Sequence, residues 1–466
     1  MGSVAAALRE RGFEISGSDE NVYPPISHFL REKGIAIKEG YRAENIPADA
    51  QVVVIGNAIR RGNPEVEAVL NRKLLYLSLP EVLRNYFLRG RHNLVVTGTH
   101  GKTTTTALLA WIMETAGKRP GFLIGGLPKN FAQGARLNDS KYFVIEGDEY
   151  DTAFFDKRSK FIHYLPELVI VNNIEFDHAD IFNNLDEIKL SFRRLLHIVP
   201  QNGMVVLNGD DPNCVAVARD CLAQMVEVGF SENCAQRIRD VAYSPAFSRF
   251  KLGQDTFEIP LIGEFNVRNA AMAAVAARFY DVPKAKIDRA FKSFSGIARR
   301  QEVRGQAGGV TVIDDFAHHP TAIARTLEAL RHRYPGRLWA IFEPRSNTTR
   351  RAVFQNDLPE ALSVADGVFI CQVARLEQIP EEQRLNPQKV VAVISKTGRP
   401  AFYEPNADAI VERIVPLLKP DDVVAVLSNG GFDNIHEKLL RRLERMPPAR
   451  AGGRGDPGGC NPVNPL

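Results

Sequence analysis

The sequence predicts an α/β protein of three units, each built around a parallel-rich sheet. Short buried apolar runs alternate along the chain with amphipathic stretches of roughly 10–15 residues, the alternation expected of βαβ units. Several of these runs end in glycine-rich or acidic clusters, which in such sheets mark the edge where ligands bind. The length of 466 residues corresponds to about three domains at roughly 150 residues each.

The first unit, 1–91, opens with a helix over 1–11 carrying Val4 and Leu8. A short strand over 13–16 then ends at Gly17-Ser18-Asp19. A helix over 26–33, a strand over 51–55 closing on Gly56-Asn57, a helix over 64–71 and a strand over 74–77 complete it. A helix ahead of any strand is an unusual start, because the first strand of a doubly wound layer sits centrally and its following loop receives a phosphate. The second unit, 92–298, has a strand over 94–97 that feeds a glycine loop and a helix to about 116. Strands over 142–145, 168–171 and 203–207 and an alanine-rich helix over 266–280 follow. The third, 299–446, begins after Arg299-Arg300, with strands over 310–313, 338–342, 367–370 and 423–427. The segment 447–466 holds five Pro and five Gly, with Val463 and Leu466 its large aliphatics. It cannot offset its ordering entropy and is expected to be disordered.

Composition narrows the function. Lys plus Arg number 59 against 55 Asp plus Glu, a net charge of +4 that is too dilute to drive binding to nucleic acid or to an anionic membrane. No apolar run approaches the 18 or so residues of a membrane span. The five cysteines, Cys214, Cys221, Cys234, Cys371 and Cys460, form no C-x-x-C pair, and the start of the chain lacks a signal-peptide profile. A reduced, cytoplasmic enzyme acting on small molecules is expected, with no obligate protein partner evident.

The strongest motif is Gly98-Thr99-His100-Gly101-Lys102-Thr103 between a strand and a helix. Glycines let backbone N–H groups approach anionic oxygens, the helix N-terminus adds its dipole, a lysine reaches the β and γ phosphates, and a hydroxyl serves Mg²⁺. The loop lacks the first glycine of the common G-x-x-x-x-G-K-[ST] spacing, since Val96 stands five residues before Gly101. Glu146 follows the 142–145 strand, and His178 lies beyond the 168–171 strand in Asn172-Asn173-Ile174-Glu175-Phe176-Asp177-His178. Parallel strands put both on the loop's edge of the sheet, and a carboxylate with a neutral imidazole suits a divalent cation.

The glycine loop, Glu146, His178, Gly263-Glu264-Phe265-Asn266 and Asp314-Asp315-Phe316-Ala317-His318-His319, in this order, resemble the muramyl ligases, the ATP-dependent amide-forming enzymes of peptidoglycan assembly. The short G-T-x-G-K-T loop is that family's form. Longer stretches, among them Tyr23-Pro24-Pro25, Gly56-Asn57-Ala58-Ile59, residues 148–161, Glu175 to Phe182 and Ser428-Asn429-Gly430-Gly431-Phe432, resemble the branch that joins a salvaged tripeptide, L-alanyl-γ-D-glutamyl-meso-diaminopimelate, to UDP-N-acetylmuramate. The likeness runs from Met1 to about Arg445. It implies a sugar-nucleotide domain, a central ATPase domain and a peptide domain. It also implies that the strand and glycine-rich loop which precede the first helix in the family are missing from the first sheet.

The resemblance also implies roles. A substrate carboxylate attacks the γ-phosphate of ATP, and an amine displaces the resulting acyl phosphate, with Lys102, Glu146 and His178 as catalytic residues. Thr103 and Glu146 match positions that hold Mg²⁺, and His178 a position associated with a second ion. Gly98, Thr99, Gly101, Lys102, Thr103 and Thr104 match the phosphate cradle, Asn266 the adenine contact, Arg300 a phosphate contact and Asp315 a ribose contact. Asp19, Asn57 and His100 match the sugar-nucleotide side. Arg345, Ser346, Asn347, Gly430 and Gly431 match the peptide side, where Arg345 can clamp a diaminopimelate carboxylate. His318 and His319 are expected to shape their loop. Arg193 stands where several relatives carry a carbamylated lysine, so no such modification is expected. The alternative within the family is the L-alanine-adding branch, which would carry a Gln-Pro-His-Arg type loop in place of Arg345-Ser346-Asn347. A nucleotide-driven switch or motor would not require the outer two units.

Overall fold

A computed structural model describes residues 1–22, 26–373 and 376–445. The Tyr23-Pro24-Pro25 stretch and the 447–466 segment lie outside the described residues. The centre is a ten-stranded sheet. From one edge its order is Asp255–Ile259, Ser248–Leu252, Gln236–Tyr243, Gln224–Gly229, Met204–Asn208, Leu168–Val171, His92–Thr97, Tyr142–Glu146, Gly121–Leu123 and Ala135–Arg136. The strands from Gln224–Gly229 to Gly121–Leu123 are all parallel. His92–Thr97 therefore lies between a strand that follows it on one side and a later strand on the other, a switch of direction that opens a crevice at the C-terminal strand ends.

Both faces of that sheet are covered, which explains why Leu94, Val95, Val96 and all of Leu168–Val171 are fully buried and read as unbroken apolar runs. On one face lie the helices Lys102–Thr115 and Glu264–Phe279, where the alanines Ala270 to Ala277 allow close approach. On the other, Leu185–Leu196 packs with Phe87, Leu88 and Phe161. Val4, Ala7 and Leu8 of the first helix, Gly2–Glu10, join that same layer, so the N-terminal unit is docked on the central one by apolar burial. The C-terminal sheet runs Glu302–Ala307, Val310–Asp315, Val423–Leu427, Leu338–Phe342, Gly367–Cys371, Ala401–Glu404, parallel except for the first pair. The N-terminal unit holds two separate parallel pairs, Ser16–Asp19 with Ala36–Glu39 and Val53–Ile55 with Tyr76–Ser78.

Two expectations of the sequence shift here. The strand expected over 13–16 begins at Ser16 instead. Phe13 is held in the turn that closes the first helix, its N–H on the Leu8 carbonyl (3.2 Å) and its ring edge-on to Tyr86 (5.3 Å), so pairing starts only after it. The antiparallel arm from Gln236 to Ile259 was not expected, because the reading rested on unbroken apolar runs, whereas Ser248–Leu252 alternates buried and exposed residues, with Arg249 and Lys251 outward, as a strand buried on one face does. Among the described residues no helix is long and apolar enough to cross a membrane.

Gly367 lies beside Trp339 in the C-terminal sheet, and a Cβ there would sit 2.2 Å from the indole. With only two tryptophans in the chain, a Trp111→Phe background makes Trp339 the fluorescence reporter of this sheet. Gly367→Ala in that background should lower the urea midpoint of the Trp339 transition by an amount equivalent to about 1–3 kcal/mol. An unchanged midpoint would mean that the contact is not close-packed.

Candidate active site

The loop after His92–Thr97 is clamped from the neighbouring strand. Asn173 accepts the His100 N–H (2.7 Å) through its side chain, and its carbonyl accepts the Thr99 N–H (3.0 Å). Asn172 Nδ2 donates to Thr105 Oγ1 at 3.1 Å. Two glycines make this fit possible. Gly98 has φ +128° and Gly101 φ +80°, and a Cβ would meet the Asn173 backbone nitrogen at 2.9 Å in the first case and Asn269 Oδ1 at 2.7 Å in the second. The helix Lys102–Thr115 starts at Gly101 without a side-chain cap. The N–H groups of its first turn are consequently free for an anion.

Lys102 folds back over the loop. Its ammonium donates to the Gly98 carbonyl (2.6 Å) and to both oxygens of Glu149 (3.0 and 2.9 Å). Glu149 is almost completely buried and also accepts from His178 Nε2 (3.0 Å). Burial alone would push the Glu149 carboxyl up, but Lys102 and His178 outweigh it and hold the group down at about 2. Burial likewise works against charge on Lys102 and His178, and the neighbouring carboxylates outweigh it, Glu149 first in each, with Asp148 and Glu146 at Lys102 and Asp177 at His178, raising both above their ordinary values. Beside this cluster, Thr103 Oγ1 donates to Glu146 Oε1 (3.0 Å), and Glu146 Oε2 accepts the Gly125 N–H (2.8 Å). A hydroxyl and a carboxylate meeting next to the glycine turn are the hard oxygen donors that a Mg²⁺ ion selects.

His178 has left-handed backbone (φ +56°), stabilised by Asp177 Oδ1 accepting its N–H at 2.7 Å. The same carboxylate oxygen accepts from Thr348 Oγ1 of the C-terminal unit (2.8 Å), and Asp177 is held far below the usual carboxylate range. Burial raises it, and the charges of His178, His318 and His319 outweigh that. The loop makes four further bonds to the C-terminal unit, the first from the Ala179 N–H to Thr348 Oγ1 (3.4 Å). Thr321 Oγ1 donates to Glu175 Oε2 (2.6 Å), His319 Nε2 donates to the Phe176 carbonyl (3.2 Å), and Asn347 Nδ2 donates to Asp180 Oδ2 (2.8 Å).

Lys102, Thr103, Glu146, Asp177 and His178 face a cavity of about 1380 Å³ lined by residues of all three units. Of the residues singled out in the sequence, Thr99, His100, Gly101, Lys102, Thr103, Thr104, Glu146, His178, Asn266, Arg300, Asp315 and Asn57 line it. Arg300 reaches Thr103 Oγ1 (3.4 Å) and lies over the Phe316 ring, while Asp315 accepts the N–H groups of Gln301 and Ala317. A second cavity of about 390 Å³ adjoins the first and is lined by Arg345, Ser346, Asn347, Thr348 and Asn429 together with His178.

Gly98 is buried beneath the loop, acting through its carbonyl on Lys102. Gly430 lines neither cavity. Its N–H is on Ser428 Oγ (2.9 Å), its carbonyl is on Arg299 (2.6 Å), and it seats the Arg345 side chain, whose Cδ would lie 2.3 Å from a Cβ. Gly431 and Asp19 are exposed outside both cavities, and Arg193 is exposed on the helix Leu185–Leu196. Sequence reasoning passed over Glu149, Asp177 and Thr348. The signal for Glu149 was a carboxylate three residues after Glu146 on the same strand end, whereas nothing in the sequence tied Thr348 to Asp177 across 171 residues.

A switch-point glycine loop with its lysine, beside a cavity walled by a second α/β unit, defines a nucleotide-dependent α/β enzyme. Family models match nearly the whole described chain: the Mur ligase family catalytic domain at residues 1–91, the Mur ligase middle domain at 96–277 and the Mur ligase glutamate ligase domain at 299–430. The UDP-N-acetylmuramate–L-alanyl-γ-D-glutamyl-meso-2,6-diaminoheptanedioate ligase of Escherichia coli is 44% identical over 451 residues, 96% of each chain. The UDP-N-acetylmuramate–L-alanine ligase of Syntrophus aciditrophicus is 30% identical, over 97% of this chain and 93% of its own. Among solved structures, a murein peptide ligase from Psychrobacter arcticus superposes with a TM-score of 0.69 at 32% identity, over 96% of this chain and 97% of the other. The chain belongs to the Mur ligase family, ATP-dependent enzymes that form carbon–nitrogen bonds.

Glu149→Gln leaves the Lys102 ammonium buried against a neutral amide and should cost about 3 kcal/mol of stability. In the parent protein the Glu149 contribution is complete above its ordinary value of 4.5 and is lost as pH falls toward 2. The variant should therefore show a flatter acid limb in its urea midpoint between those values. Parallel acid limbs would remove Glu149 from the charge balance.

Proposed function

We propose that this enzyme joins L-alanyl-γ-D-glutamyl-meso-diaminopimelate to UDP-N-acetylmuramate at the expense of ATP, a salvage step that returns recovered peptide to peptidoglycan synthesis. The observation that carries this reading is the near full-length likeness to the tripeptide ligase, well above that to the L-alanine ligases. The loop at Arg345-Ser346-Asn347, lining the smaller cavity, supports it.

In this reading residues 1–91 bind the sugar nucleotide, 92–298 bind ATP and 299–446 bind the peptide. Two anions must meet, the muramyl carboxylate and the γ-phosphate, so most of the catalytic task is positioning and charge neutralisation. Lys102 and the first-turn N–H groups hold the β and γ phosphates, which requires the ammonium to exchange part of its Glu149 contact for phosphate oxygens. Thr103 and Glu146 would hold Mg²⁺, with His178 serving a second ion. Bound there, the metal supplies positive charge that lowers the repulsion between the reactants. Arg300 supports the phosphates from the unit junction, Asn266 the adenine and Asp315 the ribose. Asn57 and His100 face the sugar nucleotide from the other wall. Arg345, seated on Gly430, offers a planar fork to a peptide carboxylate.

The assay is phosphate release with ATP and UDP-N-acetylmuramate plus either the tripeptide or L-alanine. Release is expected with the tripeptide, and turnover with L-alanine alone would overturn the assignment. Lys102→Ala should abolish turnover while circular dichroism stays native; retained turnover would remove the loop from the mechanism. Arg345→Ala should raise KM for the tripeptide at least tenfold with little effect on KM for ATP, and equal shifts in both would place Arg345 outside the peptide site.

A further inference from the structure

Amide formation needs an acceptor for the proton of the incoming amine, and none of the residues assigned above serves as one. Five residues line both cavities and so stand between the nucleotide cleft and the proposed peptide site: Tyr150, Asp177, His178, Phe316 and His318. Asp177 takes Thr348 and the His178 N–H on one oxygen, Oδ1, and its carboxyl is held far below the usual range, which makes it a weak proton acceptor. Tyr150 donates its hydroxyl proton to Asp180 (3.3 Å) and, buried beside that carboxylate, stays protonated. His178 Nε2 is committed to Glu149. Phe316 has no titratable group.

His318 is arranged differently. Its Nδ1 lies 3.0 Å from the Phe316 carbonyl, which can only accept, so the ring proton is fixed on Nδ1 and Nε2 is left with a lone pair. Among the described residues no hydrogen bond is made to Nε2. We infer that His318 is the general base of the second half-reaction, taking a proton from the ammonium of the incoming peptide at the junction of the two cavities.

This inference rests on the proposed function and deepens it. The sequence had suggested only a loop-shaping role for His318. The peptide ammonium gives one proton to His318 Nε2. The amine nitrogen then forms its bond to the acyl carbon, the bond from that carbon to the phosphate oxygen breaks, and the departing phosphate takes the electron pair and the second amine proton. The imidazolium releases its proton to solvent. Burial keeps the ring below its ordinary value and hence neutral at pH 7, opposed by the Asp177 carboxylate and by the bond to the Phe316 carbonyl, and reinforced by His100 and Arg300. The other charged or titratable groups at the junction are His178, Tyr150, His319 and Arg345. Asp177 is placed to stabilise the imidazolium once it forms.

The test separates the two half-reactions in His318→Asn and His318→Gln. Acyl phosphate is trapped with hydroxylamine from ATP and UDP-N-acetylmuramate without peptide, and amide formation is followed with the tripeptide from pH 6 to 9. Both variants should keep trapping within about twofold and lose about 100-fold in amide formation at pH 7. The deficit should shrink toward pH 9, because an α-amino group with a pKa near 8 then arrives already neutral. Added imidazole should restore part of the rate. Wild-type amide formation at pH 7, or loss of trapping in both variants, would overturn the base assignment. Failure of the unaltered enzyme to trap acyl phosphate or to use the tripeptide would instead overturn the proposed function.

Discussion

A lysine folded under the first turn of a helix stays charged only if something replaces the water it has lost. In this protein that replacement is Glu149, buried and bound at once to Lys102 and His178. The carboxylate balances a buried ammonium and holds an imidazole beside the first turn of the helix Lys102–Thr115. It thereby shapes the local field next to the uncapped N–H groups of that turn. It also links the glycine loop to the strand end carrying Glu146 and to the loop carrying His178, so three separate chain segments share one electrostatic balance.

The segment from Glu175 to Asp180 is the second constraint. It follows a fully buried strand, clamps the glycine loop through Thr99 Oγ1 and Glu175, and is bonded to the C-terminal unit through Thr321, His319, Thr348 and Asn347. Glu175, Asp177 and Asp180 each accept from a side chain of the C-terminal unit, while His178 is bonded to Glu149 and Asp180 also accepts from Tyr150. This explains why so polar a sequence is folded so tightly, and why His178 tolerates left-handed backbone without being glycine.

Much of this was legible from residues alone. Leu94-Val95-Val96 and Leu168 to Val171 announced strands buried on both faces, and a glycine loop at the end of such a strand has few alternatives. Glu146 and His178 could be placed beside the glycine loop in advance because parallel strands share an edge. The long-range contacts were not legible. Thr348 to Asp177 joins hydroxyl and carboxylate side chains too common to stand out, and Gly430, expected to offer its backbone to a ligand, proved to be the seat of Arg345. The first strand of the N-terminal unit starts later than local pattern suggests because Phe13 is recruited by tertiary packing against Tyr86, which local pattern does not encode.

The shared wall between the two cavities sets an order of events. An activated acyl group is as open to water as to an amine, and an enzyme that makes one must hold it dry until its partner arrives. Because Tyr150, Asp177, His178, Phe316 and His318 belong to both chambers, the surface that seals one is the surface that receives the guest of the other. In the proposed reaction, recognising the peptide and protecting the reactive acyl group from hydrolysis become a single structural act.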